Sequence, residues 1–355
     1  MGRDPAQIDR VAAWAVELPM RNPFTTSATY LDARRLILVR VEGAGEFGWG
    51  EAAPVPGHSS ETLDQVWDSL ETSAADVIAG AGDRPPGPAG AALAQAEIDL
   101  ASRLAAVPLR DHLGGSEEVW ASAAIGLAPD GSPDRRAVEH AAAAGYRHAK
   151  LKISENTNPA ILAGVIEDFP SVTFGADANG SLGSVPRTYL EAIDDLGFSY
   201  LEQPGPSSAL AWHRNLCDLL ATPISLDESA STVDAVRRII ADGSADIVNL
   251  KAGRFGTAQS LELARMAASG GLDARIGGLI ESGIGRSHAV ALAGCREFSV
   301  VGDIAASDLY FDDDLVSPQW RLVDGRLESS VHPGIGVEVD EAAIGALAFW
   351  SLVAE

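Results

Sequence analysis

The sequence contains very little lysine. Only three of its 26 basic residues are lysines, Lys150, Lys152 and Lys251, and all the others are arginine. Arginine serves as well as lysine for solubility and ion pairs, but it does not release its proton inside a protein. Lysines kept in such an arginine-rich chain are therefore candidates for side chains that must become neutral, as a general base does. A mutational bias that spared three lysines by accident is the alternative.

Cysteine and paired histidine are also scarce. Cys217 and Cys295 are too few and too far apart for a disulfide framework or a cysteine metal cage. The seven histidines form no H-x-x-x-H or H-x-H pair, so a zinc site is not expected. The chain also lacks the G-x-S-x-G turn of many serine hydrolases.

A positive net charge and long apolar runs are missing as well. The formal net charge is −24, so neither a nucleic acid nor an anionic membrane surface is an expected partner. No apolar run reaches the roughly 18 residues of a membrane-spanning helix. The first ten residues are polar and lack the apolar core of a signal peptide. The expected location is therefore the cytoplasm.

Short β-rich segments alternate with helical stretches over most of the chain. The predicted strands are 119–126, 148–154, 172–180, 199–204, 223–229, 245–252, 273–282 and 298–307. This alternation is typical of a parallel barrel, and an open doubly wound sheet is the alternative. We expect an α/β protein with a (β/α)7β TIM-like barrel over 118–317. Residues 1–117 and the tail 318–355 would form an α+β unit that packs together.

Three carboxylates fall where consecutive predicted strands end. Asp177, Glu202 and Asp227 are each 25 residues apart, and Lys251 follows 24 residues later. In a barrel these positions converge on one mouth, where active sites lie. Three carboxylates brought together there need a cation, and Mg²⁺ suits oxygen ligands of this kind. Each acid taken alone could instead be a helix cap or part of an ion pair.

The lysines fall on both sides of these carboxylates. Lys150 and Lys152 are two residues apart and so share one face of their strand. Lys152 and Lys251 can therefore approach a bound substrate from opposite sides, and the neighbouring ammonium and metal would make a neutral amine available. Glu228 should point away from Asp227 and support the site from behind, in an ion pair with a lysine. This arrangement suits removal of a proton next to a carboxylate, with the charge of the resulting enediolate met by the metal.

These residues together resemble the enolase superfamily, in its muconate-lactonizing subgroup, over nearly the whole chain. Within that subgroup, "GGLIESGIGRSHAVALAG" (277–294) is most similar to the branch of o-succinylbenzoate synthases and N-acylamino acid racemases. The other motifs that carry the resemblance are "KLK" (150–152), "DAN" (177–179), "EQP" (202–204), "DES" (227–229), "NLKAGRFGT" (249–257) and "GWGEAAP" (48–54).

The resemblance implies a role for each site residue. Lys152 and Lys251 would be the acid/base pair, Lys150 would assist Lys152, and Asn179 would line the site. Asp177, Glu202 and Asp227 would bind Mg²⁺, and the substrate would be a small carboxylate. The N-terminal unit would cap the barrel, with the loop 20–32 folding over the mouth; an ordinary hairpin loop is the alternative. Assembly into a homo-oligomer is left open.

Two positions depart from the family pattern. Arg275 stands where relatives often carry an aromatic residue, and "GDIAASD" (302–308) stands where small hydroxyl residues are more usual. Dipeptide epimerases carry an Asp-x-Asp pair at the eighth strand. Here Asp303 is followed by Ile304 and Ala305, which disfavours that activity.

Three further stretches carry weaker signals. In "IESGIG" (280–285), the backbone N–H groups of Ser282, Gly283 and Ile284 could meet a substrate carboxylate at a helix start; glycines placed for tight packing are the alternative. The match to G-x-G-x-x-G at 43–48 is not followed by a helix, so we expect a plain turn. The run "DDD" (312–314) is expected to be a solvated loop.

The reaction expected first is the dehydration that makes o-succinylbenzoate on the route to menaquinone. Racemisation of N-acyl or N-succinyl amino acids is second, and muconate cycloisomerisation is third. Both lysines are present either way, so the residues alone do not choose between dehydration and racemisation. A sugar-acid dehydratase usually carries a histidine base on a later strand, and His288 lies beyond that position. A barrel that has lost activity is disfavoured by the intact set of lysines and carboxylates.

Overall fold

The computed structural model describes residues 7–25, 30–56, 59–80 and 84–355. Its N-terminal unit is an antiparallel sheet in the order β15-β1-β2-β3 with helices packed on one face. The elements of this unit are β1 (Arg10–Thr25), β2 (Tyr30–Gly43), β3 (Glu46–Ala52), α1 (Leu63–Ile78), α2 (Gly87–Leu104) and β15 (Ala348–Ala354). The predicted return of the tail is found here, because β15 pairs with β1 along its length. The exact bounds of the two domains stay a prediction.

Strand β3 and helix α2 pack unusually closely. A Cβ atom at Gly48 or at Gly50 would lie 2.0 Å from a backbone oxygen of α2, so only glycine allows this approach. The G-x-G-x-x-G match is the plain turn that was expected, with Ala44 and Gly45 both at positive φ and no helix after it. Its last glycine therefore serves helix packing.

The second unit is a parallel sheet in the order β5-β6-β7-β8-β9-β10-β11. Its strands are β5 (Ser122–Ile125), β6 (His148–Lys152), β7 (Thr173–Asp177), β8 (Leu201–Glu202), β9 (Ile224–Leu226), β10 (Ile247–Leu250) and β11 (Asp273–Ile276). The connecting helices are α4 (Arg135–Ala144), α5 (Pro159–Asp168), α6 (Arg187–Asp194), α7 (Leu210–Leu219), α8 (Val233–Asp242), α9 (Ala252–Phe255), α10 (Thr257–Ser269) and α11 (Gly283–Ala293). The alternation predicted from the sequence is therefore confirmed.

The eighth predicted strand differs from the expectation. Residues 298–307 form no regular strand, although their backbone bridges the two edges of the sheet. Val300 N and Asp303 N donate to carbonyls of β11, and Ser122 N donates to Ile304 O. A Cβ atom at Gly302 would lie 2.4 Å from Ile276 O, which shows how closely this segment passes β11. The segment thus closes the barrel through scattered hydrogen bonds.

Short elements complete the chain. They are α3 (Leu109–Leu113), β4 (Glu118–Trp120), β12 (Val316–Ser317), β13 (Arg326–Glu328), β14 (Glu338–Val339) and α12 (Glu341–Leu347). The two small sheets pair β4 with β13 and β12 with β14. Within the described ranges, no helix combines the length and apolarity needed to cross a membrane.

The alternation of strand residues sorts side chains between the core and the barrel mouth. In β6, Leu151 is buried in the larger hydrophobic core. Lys150 and Lys152 on either side of it line a cavity at the carboxyl ends of the strands. The predicted shared face of the two lysines is therefore present.

Candidate active site

The predicted charged residues meet at the carboxyl ends of neighbouring strands. Lys152, Asp177 and Glu202 are the last residues of β6, β7 and β8, and the strand register places them side by side. Asp227 and Lys251 directly follow β9 and β10. Three strands bearing carboxylates therefore separate Lys152 from Lys251.

A cavity of about 90 Å³ opens beside Lys152, Asp177, Asp227 and Lys251. Its polar lining includes both candidate acid/base lysines and Asp177, Asn179, Asp227 and Asp303. Its apolar lining includes Phe24 and Leu31. These two residues come from the loop predicted to fold over the mouth, of which residues 26–29 lie outside the described residues. The N-terminal unit therefore contributes to the wall of the site.

Each lysine is paired with a buried acid. Lys152 Nζ donates to Asp177 Oδ2 at 2.6 Å, and Lys251 Nζ donates to Asp227 Oδ2 at 2.6 Å. Lys150 Nζ lies 3.0 Å from Asp177 Oδ2 and donates to both oxygens of Glu202. The two candidate acid/base amines thus lie against different carboxylates.

The charges around each acid set its protonation. Burial alone would raise the pKa of the Asp177 carboxyl, but Lys150 and Lys152 outweigh it and hold that pKa well below its usual range. At Asp227, burial is likewise outweighed by Lys251 and Arg254, and the pKa is lowered. Glu202 behaves differently, because burial and the neighbouring Asp177 raise its pKa to about 7.

Lys150 is held in its charged form. Burial would lower the pKa of its ammonium, but Asp177, Asp303 and Glu202 raise it well above the ordinary lysine value. Lys150 can therefore assist as a fixed positive charge beside Lys152, and it is not itself placed to act as a base.

Asn179 and Glu228 extend the site behind Lys152. Lys152 Nζ donates to Asn179 Oδ1 at 2.7 Å, and Asn179 Nδ2 donates to Glu228 Oε1 at 2.9 Å. Glu228 thus supports Asn179 from behind through a hydrogen bond. Asn179 has a φ of 44°, a left-handed conformation that asparagine tolerates and that is common at functional positions.

Two supporting residues escaped the sequence analysis. Gln203 accepts hydrogen bonds from Asp227 N and Ser229 N through its Oε1, which ties the ends of β8 and β9 together. Arg254 Nη2 donates to Asp227 Oδ1 at 3.0 Å. Their positions in the sequence could have identified them. Gln203 directly follows Glu202, and Arg254 lies three residues after Lys251, so both fall inside motifs already named.

The expected role of Ser282, Gly283 and Ile284 needs correction. Ser282 N donates to Glu51 Oε1, Gly283 N donates to Asp314 Oδ1, and Ile284 N donates to Ser282 Oγ. These N–H groups are already bound to protein acceptors and do not face a substrate. The start of α11 instead joins the barrel to the N-terminal unit through Glu51.

The "DDD" run is only partly the solvated loop that was expected. Asp312 is exposed and pairs with Arg21. Asp314 is buried, and it accepts hydrogen bonds from Gly283 N and Ser307 Oγ. The last residue of the run therefore belongs to the support of α11.

The two departures from the family pattern pair with each other. Arg275 and Asp303 form a salt bridge of 2.5 Å between Nη2 and Oδ1, and Asp303 also accepts from Lys150 Nζ at 2.5 Å. Arg275 Nη1 donates to Glu202 Oε2 at 2.5 Å. These contacts add a fourth acid and a buried guanidinium to the site.

The donor set fits a hard divalent cation. Asp177, Glu202 and Asp227 offer carboxylate oxygens at the ends of three adjacent rigid strands, which is the ligand type that Mg²⁺ prefers. Among the described residues, these acids do not converge as a ready cluster of metal ligands, and each is paired with a cationic side chain. The lysine amines and a bound metal ion would therefore share the carboxylates of Asp177, Glu202 and Asp227.

Comparison with known families agrees with this site. Residues 134–343 match the family described as Enolase C-terminal domain-like, and residues 8–98 match the MenC N-terminal domain. The chain belongs to the enolase superfamily. It is therefore an enzyme, and its barrel and cap are those of this superfamily.

Individual members of the superfamily align over nearly the full chain. The o-succinylbenzoate synthase of Geobacillus kaustophilus is 32% identical, covering 95% of each chain. The N-succinylamino acid racemase of Thermus thermophilus is 31% identical, covering 94% of this chain and 95% of that protein. The crystal structure of an enolase superfamily member from Listeria innocua superposes with a TM-score of 0.87 at 27% identity, covering 98% of each chain.

Proposed function

We propose that this enzyme is a Mg²⁺-dependent o-succinylbenzoate synthase. The observation that carries the proposal is the placement of Lys152 and Lys251 at strand ends separated by the strands of Asp177, Glu202 and Asp227. Similarity to o-succinylbenzoate synthases over nearly the whole chain supports it. The cytoplasm is the proposed location, in keeping with the two free cysteines.

Lys152 is the proposed base. In its neutral form it takes the proton next to the substrate carboxylate, and Asn179 and Asp177 orient its amine. The ammonium formed on Lys152 then protonates the departing hydroxyl group, so that water leaves and the amine is regenerated. Lys150 beside it is a fixed positive charge.

Lys251 faces the substrate from the other side. In dehydration its ammonium stabilises the developing negative charge without transferring a proton. Mg²⁺, held by Asp177, Glu202 and Asp227, would supply further positive charge to the substrate carboxylate as the proton leaves.

Racemisation of N-succinyl amino acids is the second candidate. The specific observation in its favour is that each candidate amine has its own carboxylate partner, Asp177 for Lys152 and Asp227 for Lys251. Two independently supported amines are what a reaction needs when one removes a proton and the other returns it to the opposite face. Similarity to an N-succinylamino acid racemase is nearly as strong.

A side-by-side assay in D₂O tests the proposal. The enzyme is given the menaquinone-pathway precursor of o-succinylbenzoate and, separately, a panel of N-succinyl amino acids. Dehydration, racemisation and deuterium incorporation at the α carbon are measured together. We expect dehydration to have the higher kcat/KM. Racemisation with the higher kcat/KM would favour the second candidate, and no exchange with any substrate would reject both.

A further inference from the structure

Arg275 is a fully buried cation whose guanidinium makes four hydrogen bonds. It lies on β11 with an exposed side-chain fraction of 0%. Its Nη1 donates to Glu202 Oε2 at 2.5 Å. Its Nη2 donates to Asp303 Oδ1 at 2.5 Å and to the Tyr200 hydroxyl at 2.7 Å. Its Nε donates to Val301 O at 3.3 Å, and its guanidinium carbon lies 4.1 Å from the centre of the Tyr200 ring.

Glu202 accepts hydrogen bonds from three protein side chains. Besides Arg275, it accepts from Lys150 Nζ at 3.2 Å and 3.1 Å and from Asn249 Nδ2 at 2.9 Å. Asp177 and Asp227 are each held by a lysine that lines the cavity, and Asp227 is also paired with Arg254. Glu202 differs because the guanidinium that holds it, that of Arg275, is fully buried.

A guanidinium in this position competes with a metal ion. Arginine does not lose its proton in a protein, so its positive charge stays beside Glu202 at any working pH. In a buried site that charge is weakly screened and repels a divalent ion bound to the same carboxylate. It also neutralises Glu202 and Asp303 when no metal is bound, which keeps two buried acids from repelling each other.

We infer that Arg275 is a positioning residue that supplies a permanent positive charge next to Glu202. It keeps the carboxylates assembled without metal and weakens the binding of Mg²⁺. The inference rests on the proposed role of Asp177, Glu202 and Asp227 as metal ligands, and it concerns what Arg275 does to that site.

The test compares Mg²⁺ binding in the wild type, Arg275→Gln and the double variant Arg275→Gln/Asp303→Asn. The double variant replaces the ion pair by two neutral amides and keeps the summed charge, so it protects against misfolding of the single variant. Arg296→Gln is the matched control, because Arg296 is 93% exposed. Affinity is measured by calorimetric titration with MgCl₂, and Tm is measured in chelator and in excess Mg²⁺. The heat of Mg²⁺ binding that disappears in the variant Asp177→Asn is assigned to binding at the site.

We expect Arg275→Gln to bind Mg²⁺ about tenfold more tightly than the wild type, because repulsion at Glu202 is removed. Its Tm should fall in chelator and recover more strongly on adding Mg²⁺ than that of the wild type. The double variant should also bind more tightly than the wild type, by a smaller factor, with a Tm in chelator closer to that of the wild type. Arg296→Gln should change neither quantity.

The outcomes separate the two proposals. If Mg²⁺ binds at the site with equal affinity in the wild type and in each variant that folds, the role of Arg275 is overturned while the metal site stands. If neither the wild type nor any variant shows a heat of Mg²⁺ binding that disappears on Asp177→Asn substitution, the proposed metal site itself is rejected. The role of Arg275 is then rejected with it.

Discussion

Two groups of buried acids in this molecule have opposite kinds of partner. At the barrel mouth, Asp177 and Asp227 are paired with the ammonium groups of Lys152 and Lys251, which line a cavity. At the start of α11, Glu51 accepts from the backbone N–H groups of Ser282 and Gly285, each at 3.0 Å. Side-chain partners can move aside for a ligand, whereas backbone partners in a packed helix cannot. The first group suits chemistry and the second suits attachment of the cap.

The partners also explain why the two groups differ electrostatically. The lysines hold the pKa of Asp177 and of Asp227 below their usual range, so both acids stay ionised. Among the residues that the structure describes, no cationic side chain is hydrogen-bonded to Glu51. Burial raises its pKa to about 7, against the lowering effect of hydrogen bonds from Ser282 and Gly285, and the nearby Glu281 raises it further.

Removal of Mg²⁺ should have the largest effect on activity and almost none on the fold. Excess chelator should reduce dehydration to the uncatalysed background, because the charge developing on the substrate is no longer stabilised. The circular dichroism spectrum should not change, since the acids of the mouth keep their cationic partners. Activity and spectrum are recorded before chelation, after it, and after Mg²⁺ is restored. Full turnover in excess chelator would refute the metal site.

Substitution of the lysines should have the next largest effect. Lys152→Arg and Lys251→Arg keep a positive charge but cannot act as a neutral base. We expect Lys152→Arg to lower kcat for dehydration by about 10²–10⁴-fold. Lys251→Arg should lower racemisation to the same extent and dehydration by less, because in dehydration Lys251 supplies only charge. Both variants should keep the wild-type Tm.

Lys150→Arg is the matched control for Lys152→Arg, since Lys150 acts as a fixed charge that arginine also carries. We expect its kcat to fall by only about tenfold, through altered packing. If Lys150→Arg lost as much activity as Lys152→Arg, the division of roles between the two lysines would be wrong.

The smallest expected effect is on stability, at the start of α11. The pKa of Glu51 lies above its ordinary value of 4.5 in the folded chain, so folding favours the protonated form. Its contribution to stability is fully present below about pH 4.5 and is lost as the pH rises through about 7. The loss amounts to about 3 kcal/mol. Glu51→Gln should therefore destabilise the fold more at pH 5 than at pH 8.

Denaturant unfolding of both proteins at these two pH values measures that difference. The charged groups facing Glu51 are Arg34 and Glu281, and both are unchanged in the variant. Asp177→Asn is the comparison from the barrel mouth. Because the pKa of Asp177 is lowered in the fold, this substitution should not destabilise the fold more at pH 5 than at pH 8. A pH-independent effect of Glu51→Gln would show that Glu51 is ionised throughout.

The sequence was sufficient to predict the barrel mouth because its signals are local. Asp177 and Glu202 end their strands, and Asp227 and Lys251 directly follow theirs. Nearly equal spacing along the chain becomes adjacency in a parallel barrel. The α11 attachment could not be predicted in this way. The acceptor of Ser282 N is Glu51, 231 residues earlier, and no periodicity links the two.

The ion pair of Arg275 and Asp303 could be predicted only in part. Both residues stood out as departures from the family pattern, but their contact depends on a closing segment that forms no regular strand. Without a strand register, the sequence gives no rule for which side chain faces which. Only the coordinates bring the two together.

A crystal structure with Mg²⁺ and o-succinylbenzoate tests the central claim most directly. We predict one metal ion within about 2.0–2.1 Å of an oxygen of each of Asp177, Glu202 and Asp227. The amines of Lys152 and Lys251 should face the bound molecule from opposite sides. A metal ion bound away from these three acids, or a product reached by neither amine, would contradict the account.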